Sequence, residues 1–239
     1  MTAPDVEIDV PVAVHDRAIF LPATATLVLA DVHLGKAAAS SVDAPIDDGA
    51  DVRDRLATAL EATDPETVVV AGDLLHSFSR LPRGLERDLE AVVATVADAG
   101  AELVVTPGNH DTMLGEVFSG RTVPEYRPDG GETVICHGHE PPATTAERYV
   151  IGHDHPALSV EGRKLPCLLY GPDCYEGADV IVLPAFTRLA AGATVNGMRG
   201  RDFQSPLVRD PDAFYPAVRD AATDEVLWFP PLGRCRRLL

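Results

Sequence analysis

The sequence predicts a layered α/β fold whose strand ends gather on one polar edge, and three observations carry that reading. Thr26 to Ala30, Thr67 to Ala71 and Glu102 to Thr106 are continuous apolar runs of strand length, the pattern of strands buried on both faces. Amphipathic stripes at helical spacing follow the first two: Val52, Leu56, Ala59 and Leu60 within 47–62, then Leu85, Leu89, Val92, Val93 and Val96 within 83–99. Each run also ends in a cluster of Asp, His, Asn and Gly, at the sheet edge where α/β proteins bind ligands.

In chain order, Val10 to Val14 and Ala18 to Phe20 read as a hairpin about His15-Asp16-Arg17, with His15 a surface residue of the turn. The strand from Thr26 ends in Asp31-Val32-His33, which puts a carboxylate and an imidazole on one side. The strand from Thr67 ends in Gly72-Asp73, with His76 a helical turn further on; Gly72 permits a tight backbone there. Gly100 caps the second helix, and the third strand ends in Pro107-Gly108-Asn109-His110-Asp111. Asp129-Gly130-Gly131 marks a turn before a strand from Thr133 to Cys136, and Ala157 to Val160 with Lys164 to Tyr170 forms a hairpin about Glu161-Gly162. Asp179 to Leu183 is a further buried strand, and the Gly-rich run 190–200 reads as loops near the site.

Length and composition bound the rest. At 239 residues and 46% hydrophobic the chain can bury a large core, and one domain over 1–239 is expected, with a motif core at 26–160 and C-terminal strands and tail at 161–239. There is no apolar run of membrane length, and the first nine residues are acidic and polar where a signal peptide is basic and then greasy; a soluble, cytoplasmic protein with no membrane partner is expected. Cys136, Cys167, Cys174 and Cys235 form no CxxC pair and read as ordinary thiols. Cys136 adjoins His137 but closes an apolar run, which makes it a buried strand residue rather than a nucleophile.

The net charge of −17 taken alone argues against a nonspecific nucleic-acid binder. The composition prefers Asp to Glu and has only Lys36 and Lys164 as lysines, which resembles proteins of salt-loving archaea. At 1 M salt the reach of each charge shrinks to about 3 Å, so the acidity then says little about the substrate.

Of the eight histidines, all but His15 stand at or just after the end of an apolar segment: His33, His76, His110, His137, His139, His153 and His155, the last five directly beside a Gly, Asp or Asn. Gly152-His153-Asp154-His155-Pro156 is the densest group. Two imidazoles one residue apart converge on one pocket when the chain turns there, and that suits a metal.

Asp31-x-His33, Gly72-Asp73, Gly108-Asn109-His110-Asp111, His137-Gly138-His139 and Gly152-His153-x-His155 resemble, in order and spacing, the five motifs of the calcineurin-like metallophosphoesterase superfamily. Within it, the stretches 30–36 and 152–156 and Leu183-Pro184-Ala185-Phe186 resemble the ICC-like branch, which includes phosphoesterases associated with DNA ligase and helicase genes. The resemblance implies a four-layer α/β/β/α sandwich and a dinuclear centre. Two divalent ions then share a bridging hydroxide that attacks the phosphoester in line. Asp73 is the expected bridge; Asp31, His33 and His155 complete one metal, and Asn109, His137 and His153 the other. His110 approaches the leaving oxygen as proton donor or charge stabiliser, with Asp111 orienting it. His139 is expected to support a ligand rather than to be one. His76 stands where many phosphatases of the superfamily carry Asp; it either bonds groups behind the ligands or helps read substrate.

Mixed N/O ligation suits Mn²⁺, Fe or Zn, and availability with the carboxylate content favours Mn²⁺. The expected activity is hydrolysis of a nucleic-acid phosphodiester, in single-stranded DNA or RNA, with a DNA-repair helicase or ligase as a possible partner. The alternatives are a small-molecule phosphatase or cyclic-nucleotide phosphodiesterase and, from another class, a non-catalytic scaffold stabilised by metal. About twenty-five residues separate Asp111 from His137, too few for a cap domain, so an open site is expected. The tail Arg234-Cys235-Arg236-Arg237 offers a minor possibility of a nucleic-acid or partner grip.

Overall fold

The computed structural model describes residues 8, 10–39, 48–76, 81–220, 223 and 225–236. Its first sheet runs β1 (Ala13–His15), β2 (Ala18–Leu21), β3 (Thr26–Leu29), β4 (Thr67–Val70), β5 (Glu102–Val105) and β6 (Arg121–Thr122), in that spatial order. The hairpin β1–β2 is antiparallel, with Asp16 at φ +52° in its turn. From β3 to β6 every pairing is parallel. That registers the C-terminal ends of β3, β4 and β5 side by side, which places their terminal motifs on one edge. Between the strands run a short helix α1 (Lys36–Ala39), the long α2 (Asp48–Thr63) and α3 (Leu85–Asp98), and a short α4 (Leu114–Val117).

The second sheet has the order β15-β14-β11-β12-β8-β7, formed by β7 (Thr133–Ile135), β8 (Arg148–Ile151), β11 (Leu168–Tyr175), β12 (Ala178–Val182), β14 (Tyr215–Arg219) and β15 (Val226–Trp228). Its β7, β8 and β12 are parallel and the remainder antiparallel. A third sheet of three strands contains β9 (Pro156–Val160), β10 (Arg163–Pro166) and β13 (Ala193–Thr194). The β9–β10 turn puts Glu161 at φ +49° and Gly162 at φ +75°, the doubly left-handed backbone of a tight hairpin.

Three apolar layers hold these elements. Val52, Leu56, Ala59 and Leu60 of α2, and Leu85, Leu89, Val92 and Val96 of α3, bury against Leu27, Leu29, Val68 and Val70. The other face of the same strands, Val28, Val69 and Val104, meets Ile135, Val150, Ile181 and Leu183 of the second sheet. Alternate residues of one strand thus serve two cores, which is why these runs are apolar throughout. Beyond the second sheet lies a third cluster with Leu158, Val195, Phe203, Leu207, Phe214 and Leu232. The α/β/β order therefore holds, and the fourth layer is built from the small sheet, 3₁₀ turns and the four-residue α5 (Leu232–Cys235). Sequence periodicity gives no signal for it, because no element there completes enough turns to show a stripe.

Several local expectations shift. The first long helix is described from Asp48, Asp47 lying outside the described residues, and Val93 is half-buried beside the buried stripe of α3. The turn 128–130 is a 3₁₀ turn, and β7 enters parallel to β8 with only one antiparallel bridge, Tyr126 to Ile135. Of the C-terminal arginines, Arg236 donates to the carbonyls of Asn196 (3.0 Å) and Met198 and pairs with Asp212, so it fastens the chain end to the body. Arg237 lies outside the described residues. No helix among the described residues is long and apolar enough to cross a membrane.

Candidate metal centre

Where β3, β4, β5, β7 and β8 end, the chain turns sharply, and the polar residues sit in those turns. Asp31 (φ +55°), His33 (+51°), Asp73 (+50°), His153 (+72°) and His155 (+46°) all adopt the left-handed backbone region. For residues with a Cβ this costs about 1–2 kcal/mol each, and such strain persists only where the surroundings hold it. They do so through a chain of carboxylate-to-backbone bonds. Asp31 Oδ2 accepts from the N–H of His153 (2.9 Å) and Asp73 Oδ1 from the N–H of His110 (2.9 Å). Asp154, between the two histidines of its motif, accepts from Gln204 (2.7 Å) and Ser205 (3.2 Å).

Asp111 belongs to the same scheme. Its carboxylate accepts from the backbone N–H groups of Leu74 (3.3 Å), Leu75 (2.8 Å) and Gly108 (2.9 Å). It fastens the loops after β4 and β5 together.

Behind the ligand atoms the backbone approaches closely. A Cβ on Gly72 would lie 2.1 Å from His137 Nδ1, one on Gly108 2.2 Å from Asp73 Oδ1, and one on Gly152 2.6 Å from Asp31 Oδ2. Gly72 carries a second demand, a φ of +80° that only glycine adopts freely.

The predicted ligands come together in two groups around Asp73. On one side His155 Nε2 lies 3.1 Å from Asp31 Oδ1 and 3.3 Å from His33 Nε2, and His33 Nε2 lies 3.8 Å from Asp73 Oδ2. On the other, His137 Nε2 is 3.1 Å from both Asn109 Oδ1 and His153 Nδ1, and 3.6 Å from Asp73 Oδ1. One carboxylate therefore turns one oxygen to each group. Asp31, His33 and His155 form one set of donors close enough to share a cation, and Asp31, Asp73 and His137 another.

The remaining motif histidines flank these groups. His139 stands with its ring 5.1 Å from that of His137 and 6.1 Å from that of His153. His76 reaches further in than a purely supporting group, with Nδ1 3.3 Å from His33 Nδ1, and it forms a third possible donor set with His33 and His110. The rings of His76 and His110 stack at 5.0 Å, and His110 Nε2 lies 4.0 Å from Asp73 Oδ2.

Charge at the site is arranged for cations. Burial, then the nearby charge of Asp31, pushes the Asp73 carboxyl up to about 8. Burial lowers His33 to about 2 and His110 and His153 to about 4, and lowers His137 and His76 as well. Against burial, which would raise it, Asp31 is held low by His155, His137 and His33; His155 is raised in turn by Asp31, which outweighs its burial. Apart from His155, the result is neutral imidazoles converging on buried carboxylates. Ring nitrogens that face one another at 3.1–3.3 Å have at most one proton to share per pair, and Asp31 Oδ1 is buried with no well-directed hydrogen bond. Divalent cations satisfy all of these acceptors at once, so the donor set fits a metal pair.

The centre opens into a cleft of about 320 Å³. Its lining includes Asp73, Asn109, His110, His153, Asp154 and His155, with Lys36, Gln204 and Ala190–Ala193 around them. The Gly-rich run thus lies beside the site as expected. Sequence reasoning assigned no part to Lys36, Asp154 or Gln204; Asp154 stood between two predicted ligands, whereas Gln204 carried no signal. Leu183-Pro184-Ala185-Phe186 ties the two sheets together, through Phe186 N–H to the Ala30 carbonyl (2.8 Å) and Thr187 N–H to that of Asp31 (3.3 Å). Cys136 is buried beside the centre, its thiol pushed up to about 12 by burial, which excludes a thiolate nucleophile at neutral pH.

The family model of calcineurin-like phosphoesterases matches residues 25–175, well over half of the chain. Among solved structures, the nuclease MPE of Pseudomonas putida is 26% identical over 86% of this chain and 90% of its own, with a TM-score of 0.58. YfcE, a phosphoesterase from E. coli, is 13% identical over 86% of this chain and 98% of its own, with a TM-score of 0.43. No curated protein matches the sequence.

Proposed function

The chain belongs to the calcineurin-like phosphoesterase family, the metal-dependent phosphoester hydrolases, and from that premise we propose that it cleaves a phosphodiester of single-stranded nucleic acid at a dinuclear centre. The observation that carries the dinuclear part is Asp73, whose Oδ2 faces His33 and whose Oδ1 faces His137. Asp31, His33 and His155 would hold one divalent ion and Asn109, His137 and His153 the other, with Mn²⁺ favoured by the N/O donor set. When bound, such ions lower the pKa of a water and neutralise charge on the phosphate.

The protein's own groups do the rest. The buried carboxylates Asp31 and Asp73 are each fixed by a backbone N–H from another motif, which holds the donors in place before substrate arrives. Asn109 offers a neutral oxygen, so the centre keeps net positive charge for the phosphate. His110, at the mouth and lowered to about 4 by burial, is neutral near pH 7 and stabilises the leaving oxygen through a ring N–H. Asp111 keeps His110 in place indirectly, by tying Gly108 to Leu74 and Leu75.

Two observations support a nucleic-acid strand as substrate. The solved relative at 26% identity is a nuclease, and a cleft of about 320 Å³ adjoins the metal centre. The test is hydrolysis of bis-p-nitrophenyl phosphate and of a single-stranded oligonucleotide with Mn²⁺ at high salt, by wild type and by His110→Ala. Cleavage of both by wild type, with turnover lost and metal retained in the variant, is expected. A protein that cuts the small diester and leaves the oligonucleotide intact refutes the substrate; one that holds metal and cuts neither is a scaffold.

A further inference from the structure

The cleft beside the metal centre contains one primary amine. Lys36 is the only lysine or arginine among the described residues that line it, in a chain with two lysines in all. Two arginines elsewhere are tied down: Arg55 by Asp16 and the Phe186 carbonyl, Arg188 by Asp51 at 2.9 Å. Lys36 is delivered by the turn that delivers His33. Its N–H bonds the His33 carbonyl (3.1 Å), and Gly35 before it, at φ +85°, reverses the chain. The side chain is half-buried, so the stem packs and the ammonium stays at the mouth. Its charge is coupled to Asp31, His33, Asp73, His76, His110 and His155, and it lines the same cleft as His110.

A phosphodiester strand brings more than one phosphate to such a cleft. On the reading above the scissile phosphate would face the donors about Asp73 and Asn109, and the next phosphate along the strand would meet the Lys36 ammonium in the same cleft. We propose that Lys36 binds that neighbouring phosphate, and so acts as a residue that favours a nucleic-acid strand over an ester with a single phosphate. The inference rests on the nucleic-acid reading above. A lysine suits the role because it is a point charge on a flexible stem, able to follow a mobile strand without imposing a fixed geometry.

The experiment compares wild type, Lys36→Ala and Lys36→Arg on bis-p-nitrophenyl phosphate and on single-stranded oligo(dT), over a range of salt concentrations. Lys36→Ala should lose about tenfold more kcat/KM on the oligonucleotide than on the small diester. One lost phosphate contact should also flatten the slope of log KM against log salt by about 0.7. Lys36→Arg should recover most of both, with metal content and melting temperature as in wild type. Equal losses on the two substrates, or an unchanged salt slope, would overturn the role of Lys36 while leaving the nuclease reading intact. Wild type that cuts the small diester but not oligo(dT) would remove the substrate reading, and the role of Lys36 with it.

Discussion

Gly108→Ala adds one methyl group behind the carboxylate on which both halves of the centre depend. The new Cβ would stand 2.2 Å from Asp73 Oδ1 and 2.7 Å from the Asp73 backbone nitrogen, where ordinary contact begins at about 3.5 Å. The clash is with backbone as well as side chain, so a rotamer change cannot relieve it. Asp73 must move by roughly 1 Å, and a displacement of that size at a reacting centre costs about 10²-fold in rate, or about 2.7 kcal/mol of transition-state stabilisation. The move also stretches the bond from His110 N–H to Asp73 Oδ1, now 2.9 Å. Overpacking should lower stability by about 1–3 kcal/mol, leaving a folded protein to assay. Steady-state hydrolysis of bis-p-nitrophenyl phosphate at saturating Mn²⁺, with metal content measured on the same samples, gives the answer. A variant within threefold of wild type and carrying its full metal content would refute the reasoning, since Asp73 would then not need its observed position.

Other consequences follow from the same geometry. Asp111→Ala removes the acceptor of three backbone N–H groups and should cost about 3 kcal/mol in chemical denaturation; Asp111→Asn, which keeps acceptor capacity, should recover part of that loss, and neither should shift the pH–rate profile as loss of a His110 partner would. For chelated protein, the sign of the pH dependence follows from the shifts. Asp73, raised from 3.8 to about 8, loses stability as pH climbs towards 8; His155, raised above 6.5, acts the same way; the lowered His33, His110 and His153 have no further effect above 6.5. Between pH 6.5 and 8 the metal-free protein should thus lose about 2 kcal/mol from Asp73, and added metal, which binds the ionised carboxylate, should abolish the loss. Cys136 should resist alkylation in native protein at pH 8 and react on unfolding, as its burial requires.

The sheets and the ligand residues were legible in the sequence because each follows a strong local pattern. The runs ending at Ala30, Ala71 and Thr106 are apolar without alternation, and a strand that serves two cores must be. Asp31, His33, Asp73, Asn109, His137, His153 and His155 follow such runs closely, so parallel register within each sheet and the packing of the two sheets bring them together. The backbone bonds of Asp111 were not legible, because a carboxylate that collects backbone N–H groups and one that orients a ring look alike in sequence. Which donors converge on it depends on two loops, after β4 and β5, that are 33 or more residues apart in the chain. The outer layer followed only from the family resemblance and not from periodicity, since Leu158, Val195, Phe203 and Leu207 come from short elements without a period. Lys36 and Gln204 reach the cleft only through the way the loops close, which no single motif encodes.

The central claim is that Asp73 joins two half-sites into one dinuclear centre. Chelator-stripped protein titrated with Mn²⁺, with bound metal and bis-p-nitrophenyl phosphate hydrolysis followed together, tests it most directly. Saturation at two ions per chain is expected, with activity that returns with the second and an Asp73→Asn variant that binds both poorly. Saturation at a single ion with full activity, or hydrolysis that persists in the stripped protein, would contradict it.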